Sequence, residues 1–93
     1  MTIRSFNCPD TQAFFAGRRV RKFVNFASVA SRKLQQLDSA ATLEFLRSPP
    51  GNRLEPLHGN RAGQHSIRIN DQYRICFVWT DDGPTNVEIV DYH

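Results

Sequence analysis

Hydrophobic and polar residues alternate along two neighbouring stretches in the second half of the chain, residues 65–69 and 72–79. Alternation with a period of two is typical of β-strands, and Asn70-Asp71 between the stretches tolerates the backbone of a tight turn. The pattern predicts a β-hairpin with an apolar face packed on the core and an opposite polar face. The apolar face would carry Ile67, Ile69, Tyr73, Ile75, Phe77 and Trp79, and the opposite face Ser66, Arg68, Arg74 and Cys76.

A third alternating stretch, residues 86–93, follows the turn signal Asp82-Gly83-Pro84. If Val87 and Ile89 join the apolar face, the side chains between them lie beside the two arginines. Those side chains are Glu88, Val90 and Tyr92, with His93 at the sheet edge. Arginine, tyrosine and histidine on one open face suit a phosphodiester, because a cation binds phosphate, a ring stacks on a base and an imidazole transfers protons. The plain alternative is a solvated arginine face with a tyrosine that only packs.

Apolar residues in the first half of the chain recur at spacings of three or four, which predicts an amphipathic helix that begins at Asn25 and ends near residues 39–41. The apolar stripe consists of Phe26, Ala30, Leu34, Leu37 and Ala41. Arg32 and Lys33 lie near the edges of this stripe, where their stems would cover apolar surface while their charges stay in water. This helix is expected to cover the sheet.

Shorter elements are predicted around this helix. Pro9 suits a first helical turn and Gly17 a helix end, which indicates a helix over residues 9–16. Residues 2–6 are expected to form an edge strand paired with the C-terminal sheet, and residues 42–46 one further helical turn before the prolines at 49 and 50. Together the elements predict an α+β fold, with an N-terminal strand and two or three helices packed on one face of an antiparallel β-sheet.

Composition narrows the classes of function for this chain of 93 residues, which has a formal net charge of +3 and an isoelectric point near 9.3. A chain of this length is expected to form one small domain, residues 1–93, whose basic balance favours an anionic partner such as nucleic acid. The two cysteines are far apart and no metal-ligand spacing is present, so neither a metal nor a cofactor is expected. The chain lacks a signal-peptide core and a membrane-spanning apolar run, which predicts a cytoplasmic protein without membrane contact.

Two further groups of charged residues lie outside the predicted strands. A basic connector follows the first helix and is either a solvated loop or a contact to RNA or to an acidic partner; it contains Arg18, Arg19, Arg21 and Lys22. Glu55 and His58 precede the hairpin and are an acid/base pair, a salt bridge or two unrelated surface groups. Their spacing alone favours unrelated surface groups.

Five motifs follow one another over nearly the whole chain: IRSF at residues 3–6, PPGNRLE at 49–55, GNRAGQHSIR at 59–68, QYRICF at 72–77 and DYH at 91–93. This combination resembles the HigB and GraT branch of the RelE-like toxins. The resemblance implies a RelE/ParE-like fold and the toxin of a type II toxin-antitoxin system. Such toxins cut messenger RNA in the ribosomal A site and so inhibit translation and growth.

The resemblance also implies an active site and a reaction. The active-site residues of the family fall on Arg74, Asp91, Tyr92 and His93. The implied reaction uses no metal: the ribose 2′-hydroxyl attacks the adjacent phosphate and leaves a 2′,3′-cyclic phosphate and a 5′-hydroxyl. His93 would be the base, Arg74 the clamp for the phosphorane-like state, Tyr92 the residue that orients the nucleotide, and Asp91 a positioning carboxylate.

The chain departs from the family pattern at two positions. Glu55 stands where some members have a histidine, and His58 where they have a lysine, so His58 is the candidate acid or phosphate contact. RNA is expected to contact a set of basic residues, namely Arg53, Arg61, Arg68, Arg18, Arg19, Arg21 and Lys22. Because Arg74 and His93 are predicted on the solvent-facing side of the sheet, Arg74→Ala and deletion of His93 are expected to abolish toxicity without unfolding the domain.

The implied partners are a HigA-like helix-turn-helix antitoxin, the ribosome and its mRNA, and operator DNA bound indirectly through the antitoxin. Cleavage is expected only on the ribosome, since a shallow sheet surface orients a flexible RNA poorly. One competing class is a ParE-like toxin that inhibits a topoisomerase without cutting RNA. Another is an RNA-binding module without toxicity.

Overall fold

The polypeptide forms an antiparallel sheet covered on one face by helices, as the alternating and helical patterns predict. This computed structural model describes residues 2–91, within which four strands pair in the order β1-β2-β3-β4. The strands are β1 (Glu55–Pro56), β2 (His65–Arg68), β3 (Tyr73–Thr80) and β4 (Gly83–Asp91). The helices are α1 (Pro9–Phe15) and α2 (Ala27–Ser39), with 3₁₀ turns at Arg21–Phe26, Leu43–Arg47, Pro50–Asn52 and Gly59–Arg61.

The predicted hairpin is confirmed, with a longer connection than expected. Ile67 lies opposite Ile75, and Arg68 lies opposite Arg74. At the turn, the N–H groups of Ile69 and Asn70 both donate to the Tyr73 carbonyl, at 3.0 and 3.3 Å. The connection between the strands spans residues 69–72, and in it the Asn70 side chain accepts from the backbone N–H groups of Gln72 and Tyr73, each at 2.8 Å.

The predicted third strand is also confirmed, but it begins at Gly83 rather than at residue 86. The register between β3 and β4 shifts between Cys76 and Val78, and Asn86 takes a positive φ of 52° at this irregularity. A bulge of this kind lets the strand continue through the residues that the turn signal had assigned to a loop.

The core lies between α2 and the apolar face of the sheet. Ala30, Leu34 and Leu37 of α2 have no exposed surface and pack in one cluster with the buried side chains of β2, β3 and β4, namely Ile67, Ile75, Phe77 and Val87. Each fully buried leucine stabilises the fold by about 1.5–3 kcal/mol relative to exposure. The prediction for the end of the stripe was wrong: Ala40 is buried and Ala41 is exposed, because α2 ends at Ser39 and the extended backbone of Ala40 changes the face.

The predicted N-terminal edge strand is only partly present. Phe6 forms one isolated parallel bridge with Val87, and hydrogen bonds join the Arg4 N–H to the Pro84 carbonyl at 2.8 Å and the Val87 N–H to the Ser5 carbonyl at 3.1 Å. The segment runs beside β4 as predicted, but these few bonds do not make a regular strand. Within residues 2–91, no helix has the length and apolar character needed to cross a bilayer.

Candidate active site

The face of the sheet that does not contact α2 carries polar side chains in two adjacent rows. The cross-strand register aligns one row across all four strands, consisting of Glu55, Ser66, Cys76 and Glu88. The next row contains Arg68, Arg74 and Val90. We call this side of the sheet the arginine face. The predicted sharing of one face by the two arginines is confirmed.

The arginine face is covered rather than open. Ser66 and Cys76 have no exposed surface, and only 8% of Arg74 is exposed. Burial raises the pKa of the Cys76 thiol above its ordinary value of 9.0, while the positive charge of Arg61 acts in the opposite direction. The expectation of a solvent-facing Arg74 was therefore wrong. Alternation assigns a side chain to a face, but it does not reveal whether another segment covers that face.

The guanidinium of Arg74 is held by hydrogen bonds from inside the fold. Its Nε donates to Ser66 Oγ at 2.7 Å, and its Nη2 donates to the backbone carbonyl of Arg53 at 2.7 Å. Glu55 Oε1 lies 3.5 Å from the same Nη2. Donors fixed in this way cannot rotate freely, so the planar group is oriented before any ligand binds.

The Arg53 carbonyl is placed by the turn that precedes it. Pro50–Asn52 forms a short 3₁₀ helix, and Arg53 ends it in the left-handed conformation, with φ 47° and ψ 53°. Asn52 is fully buried, and its amide nitrogen donates to Gln36 Oε1 at 3.1 Å and to the Leu46 carbonyl at 3.1 Å. These bonds tie the loop to α2 and to the Leu43–Arg47 turn, and the loop in turn positions an acceptor for Arg74.

Lys33 completes the anchor of this loop. Its ammonium donates to Asn52 Oδ1, and only 9% of the residue is exposed. Burial lowers the pKa of Lys33 below its ordinary value of 10.5, and the positive charges of Arg32 and Arg68 lower it further. The expectation that this charge stays in water was wrong, because the Pro50–Asn52 turn provides a polar partner inside the fold.

Two other cations near the arginine face, Arg61 and Arg68, are also paired with carboxylates. Arg61 Nη1 lies 2.8 Å from Glu88 Oε1 and donates to Gln64 Oε1 at 3.1 Å. Arg68 donates to Asp71, which is almost fully exposed. Both arginines were predicted to contact RNA, and both would have to exchange a carboxylate for a phosphate to do so.

The basic connector lies elsewhere, beside α1. Arg18 and Arg19 follow α1, Arg21 and Lys22 begin the next 3₁₀ helix, and all four are exposed. Lys22 Nζ lies 2.8 Å from Asp10 Oδ2, and this hydrogen bond raises the pKa of Lys22 above its ordinary value of 10.5. Arg18 lines a shallow depression of about 280 Å³ together with residues of α1.

The remaining candidates are not all brought together with Arg74. Asp91 lies opposite Tyr73, and its carboxylate accepts from Gln72 Nε2 at 3.0 Å. Because alternate residues face opposite sides, Asp91 points away from the arginine face while its neighbour Val90 lies on it. Tyr92 and His93 lie outside the described residues.

Glu55 and His58 do not form a pair within residues 2–91. His58 is exposed at the start of the Gly59–Arg61 turn, whereas Glu55 lies in β1 with its carboxylate near Arg74. Glu55 and His58 are thus unrelated to each other, as their spacing indicated. Glu55 instead forms a salt bridge with Arg74, which the sequence did not suggest. Among the described residues, no group of three or more His, Cys, Asp or Glu side chains is arranged to hold a metal ion.

Comparison with known proteins assigns the chain to a family. The sequence profile of the family described as the RelE-like toxin of the type II toxin-antitoxin system HigB matches residues 9–93. The chain belongs to the HigB-like toxins. Toxin HigB-1 of Vibrio cholerae serotype O1 is 56% identical over 50 residues, which cover 54% of this chain and 53% of that protein. An uncharacterized protein of Haemophilus influenzae is 35% identical over 63 residues, covering 68% of this chain and 62% of that protein.

A solved structure supports the fold of this HigB-like chain. The structure of the YoeB-YefM complex from Staphylococcus aureus superposes with a TM-score of 0.58, covering 100% of this chain and 99% of the matched chain at 18% identity. An identity this low supports the fold alone. The predicted family and the α+β fold class are thus confirmed. The aligned part spans only about half to three fifths of the curated relatives, so the activity and partners are proposals below.

The residues that hold Arg74 in this HigB-like fold were not predicted from the sequence. Ser66 was predicted on the same sheet face as Arg74, and this shared face was the signal that could have suggested a contact. Asn52 and the Arg53 carbonyl left no such signal, because a backbone acceptor is not visible in a sequence and a loop asparagine is usually exposed.

Proposed function

We propose that this chain is the toxin of a type II toxin-antitoxin system and that it cleaves mRNA bound to the ribosome. The main support is Arg74, a nearly buried guanidinium fixed by Ser66 Oγ and the Arg53 carbonyl in a chain of the HigB-like family. A preoriented cation stabilises charge that develops in a transition state without reorganising during the reaction. The pentavalent state of a phosphodiester under attack develops that kind of charge.

The proposed reaction uses the RNA's own 2′-hydroxyl as the nucleophile. The 2′-oxygen gives its proton to His93 and attacks the adjacent phosphorus, while Arg74 stabilises the charge on the phosphoryl oxygens. The bond from phosphorus to the 5′-oxygen then breaks, and that oxygen takes a proton from His58. The products are a 2′,3′-cyclic phosphate and a 5′-hydroxyl. Tyr92 orients the nucleotide, and Asp91 positions its neighbours in the chain.

RNA binding is proposed to use the basic residues around this site. Arg53 is exposed next to Arg74, while Arg61 and Arg68 would exchange their bonds to Glu88 and Asp71 for backbone phosphates. The exposed basic connector would contact ribosomal RNA. Phosphate contacts of this kind weaken as salt rises, because counterions released on binding compete at high concentration.

The proposed partner in the absence of RNA is a HigA-like helix-turn-helix antitoxin, which would also connect the toxin to operator DNA. The family is defined by a toxin-antitoxin system, and the fold is shared with YoeB, whose structure is that of a complex with YefM. Acidic side chains of the antitoxin would face the basic connector, with apolar anchors supplying most of the affinity. The proposed location is the cytoplasm, where the ribosomes are.

Cleavage of a programmed ribosome complex tests this function. The wild-type chain is expected to cut the mRNA in the A site, to leave naked transcript nearly intact, and to act equally in EDTA. The new 3′ end should resist ligation until its cyclic phosphate is removed. Efficient cutting of naked RNA contradicts the dependence on the ribosome, and inhibition of DNA supercoiling without RNA cleavage supports a ParE-like activity instead.

A further inference from the structure

The carboxylate of Glu55 faces the guanidinium that is proposed to bind phosphate. Glu55 lies in β1 directly opposite Ser66, and its Oε1 is 3.5 Å from Arg74 Nη2. The two partners differ in burial: the side chain of Glu55 is 49% exposed, and that of Arg74 is 10% exposed. The carboxylate thus approaches a nearly buried cation from the solvent side, the side from which a ligand also arrives.

Two kinds of acceptor within residues 2–91 contact Arg74. The contacts from Ser66 Oγ and the Arg53 carbonyl, both at 2.7 Å, are short and come from neutral acceptors inside the fold. The contact from Glu55 is longer and comes from an anion with half of its side chain in water. Neutral acceptors orient the guanidinium and leave its positive charge in place, whereas a carboxylate reduces the field that an incoming phosphate meets.

We infer that Glu55 is an internal competitor of phosphate at Arg74. A phosphodiester oxygen that approaches Nη2 either displaces the carboxylate or is repelled by it. The free energy needed to break the ion pair therefore reduces the affinity for phosphate. The inference rests on the proposed role of Arg74 as the phosphate clamp. It also gives a physical reason for dependence on the ribosome: a free RNA phosphate binds weakly, and contacts to the ribosome supply what the competition removes.

The alternative is that Glu55 has a purely structural role. Ser66 Oγ and the Arg53 carbonyl would still hold the guanidinium without Glu55, because the 3.5 Å contact to Glu55 is longer than either of those hydrogen bonds. A structural role also predicts no effect of Glu55 on anion affinity. The two roles are therefore separated by measuring phosphate binding together with stability.

The test is a titration of the full chain with inorganic phosphate, followed by NMR through the backbone N–H signals of β2 and β3, which every variant retains, and through the Nε–H signal of Arg74 where that residue is present. Glu55→Gln keeps the shape of the side chain and removes its charge, and it is expected to bind phosphate about three- to tenfold more tightly than the wild type. Glu44→Gln is the matched control, since Glu44 accepts from Arg47 at 2.7 Å in an exposed pair outside the sheet. It should leave the affinity for phosphate unchanged.

Two outcomes would contradict the inference about Glu55, and only the second would also contradict the proposed function of Arg74. If Arg74→Ala weakens phosphate binding but Glu55→Gln does not strengthen it, the competition is absent while the clamp remains. If Arg74→Ala binds phosphate as well as the wild type, the clamp itself is wrong, and the proposed function loses its main support. An unchanged Nε–H shift in unliganded Glu55→Gln would show that the bond to Ser66 is intact, so that a gain in affinity reflects the lost charge.

Discussion

Replacing Arg74 by alanine is expected to destabilise the fold as well as to remove the phosphate clamp. The substitution leaves Ser66 Oγ and the Arg53 carbonyl without their donor, and Ser66 has no exposed surface. A buried polar atom that loses its partner costs about 1–3 kcal/mol. For the two acceptors together we expect a loss of about 2–4 kcal/mol in the free energy of unfolding, since water reaches part of the vacated space.

Arg68→Ala is the matched control for this experiment. Arg68 lies opposite Arg74 on the same face, but its partner Asp71 is almost fully exposed, so its removal should cost only about 0–1 kcal/mol. In thermal denaturation followed by circular dichroism, the Arg74 variant should melt roughly 10–25 °C below the wild type, since each kcal/mol shifts the midpoint of a domain of this size by about 4–8 °C. A midpoint equal to that of Arg68→Ala would refute the idea that the buried hydrogen bonds of Arg74 stabilise the fold.

Three further predictions concern the buried side chains of Asn52 and Cys76. Asn52→Ala should lower the free energy of unfolding by about 2–4 kcal/mol in urea denaturation, because it removes a buried side chain that bonds Lys33, Gln36 and the backbone, whereas the exposed Asn60→Ala should have little effect. Cys76 should react with a thiol reagent more slowly than Cys8 at neutral pH, as read by mass spectrometry of the labelled chain, and equal rates would contradict its burial. The pKa of the Cys76 thiol is higher in the folded state than in the unfolded state, so the stability that the neutral thiol contributes is present below pH 9.0 and is lost as the pH rises through the folded pKa. The Cys76→Ala variant lacks this thiol and should therefore lose less stability than the wild type above pH 9.0.

The sequence was most informative where a repeating pattern meets a buried face. Period two assigned Ile67, Ile75 and Phe77 to the core, and helical spacing assigned Leu34 and Leu37, because burial of one face imposes that periodicity on the side chains. The motif combination also led to the correct family. These features are local or involve many residues, so that small errors in the boundaries of single elements did not change the result.

Features that depend on one loop meeting a distant strand could not be predicted. β1 has only two residues, one of them a proline, so it shows no alternation, yet it brings Glu55 to Arg74. The burial of Arg74 depends on where the left-handed Arg53 directs its carbonyl, and that direction follows from the anchoring of Asn52 to α2. No pattern of residue types encodes such a contact, because it is made by backbone atoms and by a single side chain.

The central claim is that the fixed guanidinium of Arg74 stabilises the transition state of RNA cleavage, and Arg74→Lys tests it most directly. Lysine keeps the charge but lacks the planar group that bonds Ser66 and Arg53 while facing the phosphate. The measurement is the single-turnover rate of cleavage of ribosome-bound mRNA, at a temperature where both proteins are folded. We expect the rate to fall about 10²–10³-fold, the loss typical of removing one preorganised donor. A rate within a few-fold of the wild type would contradict the account.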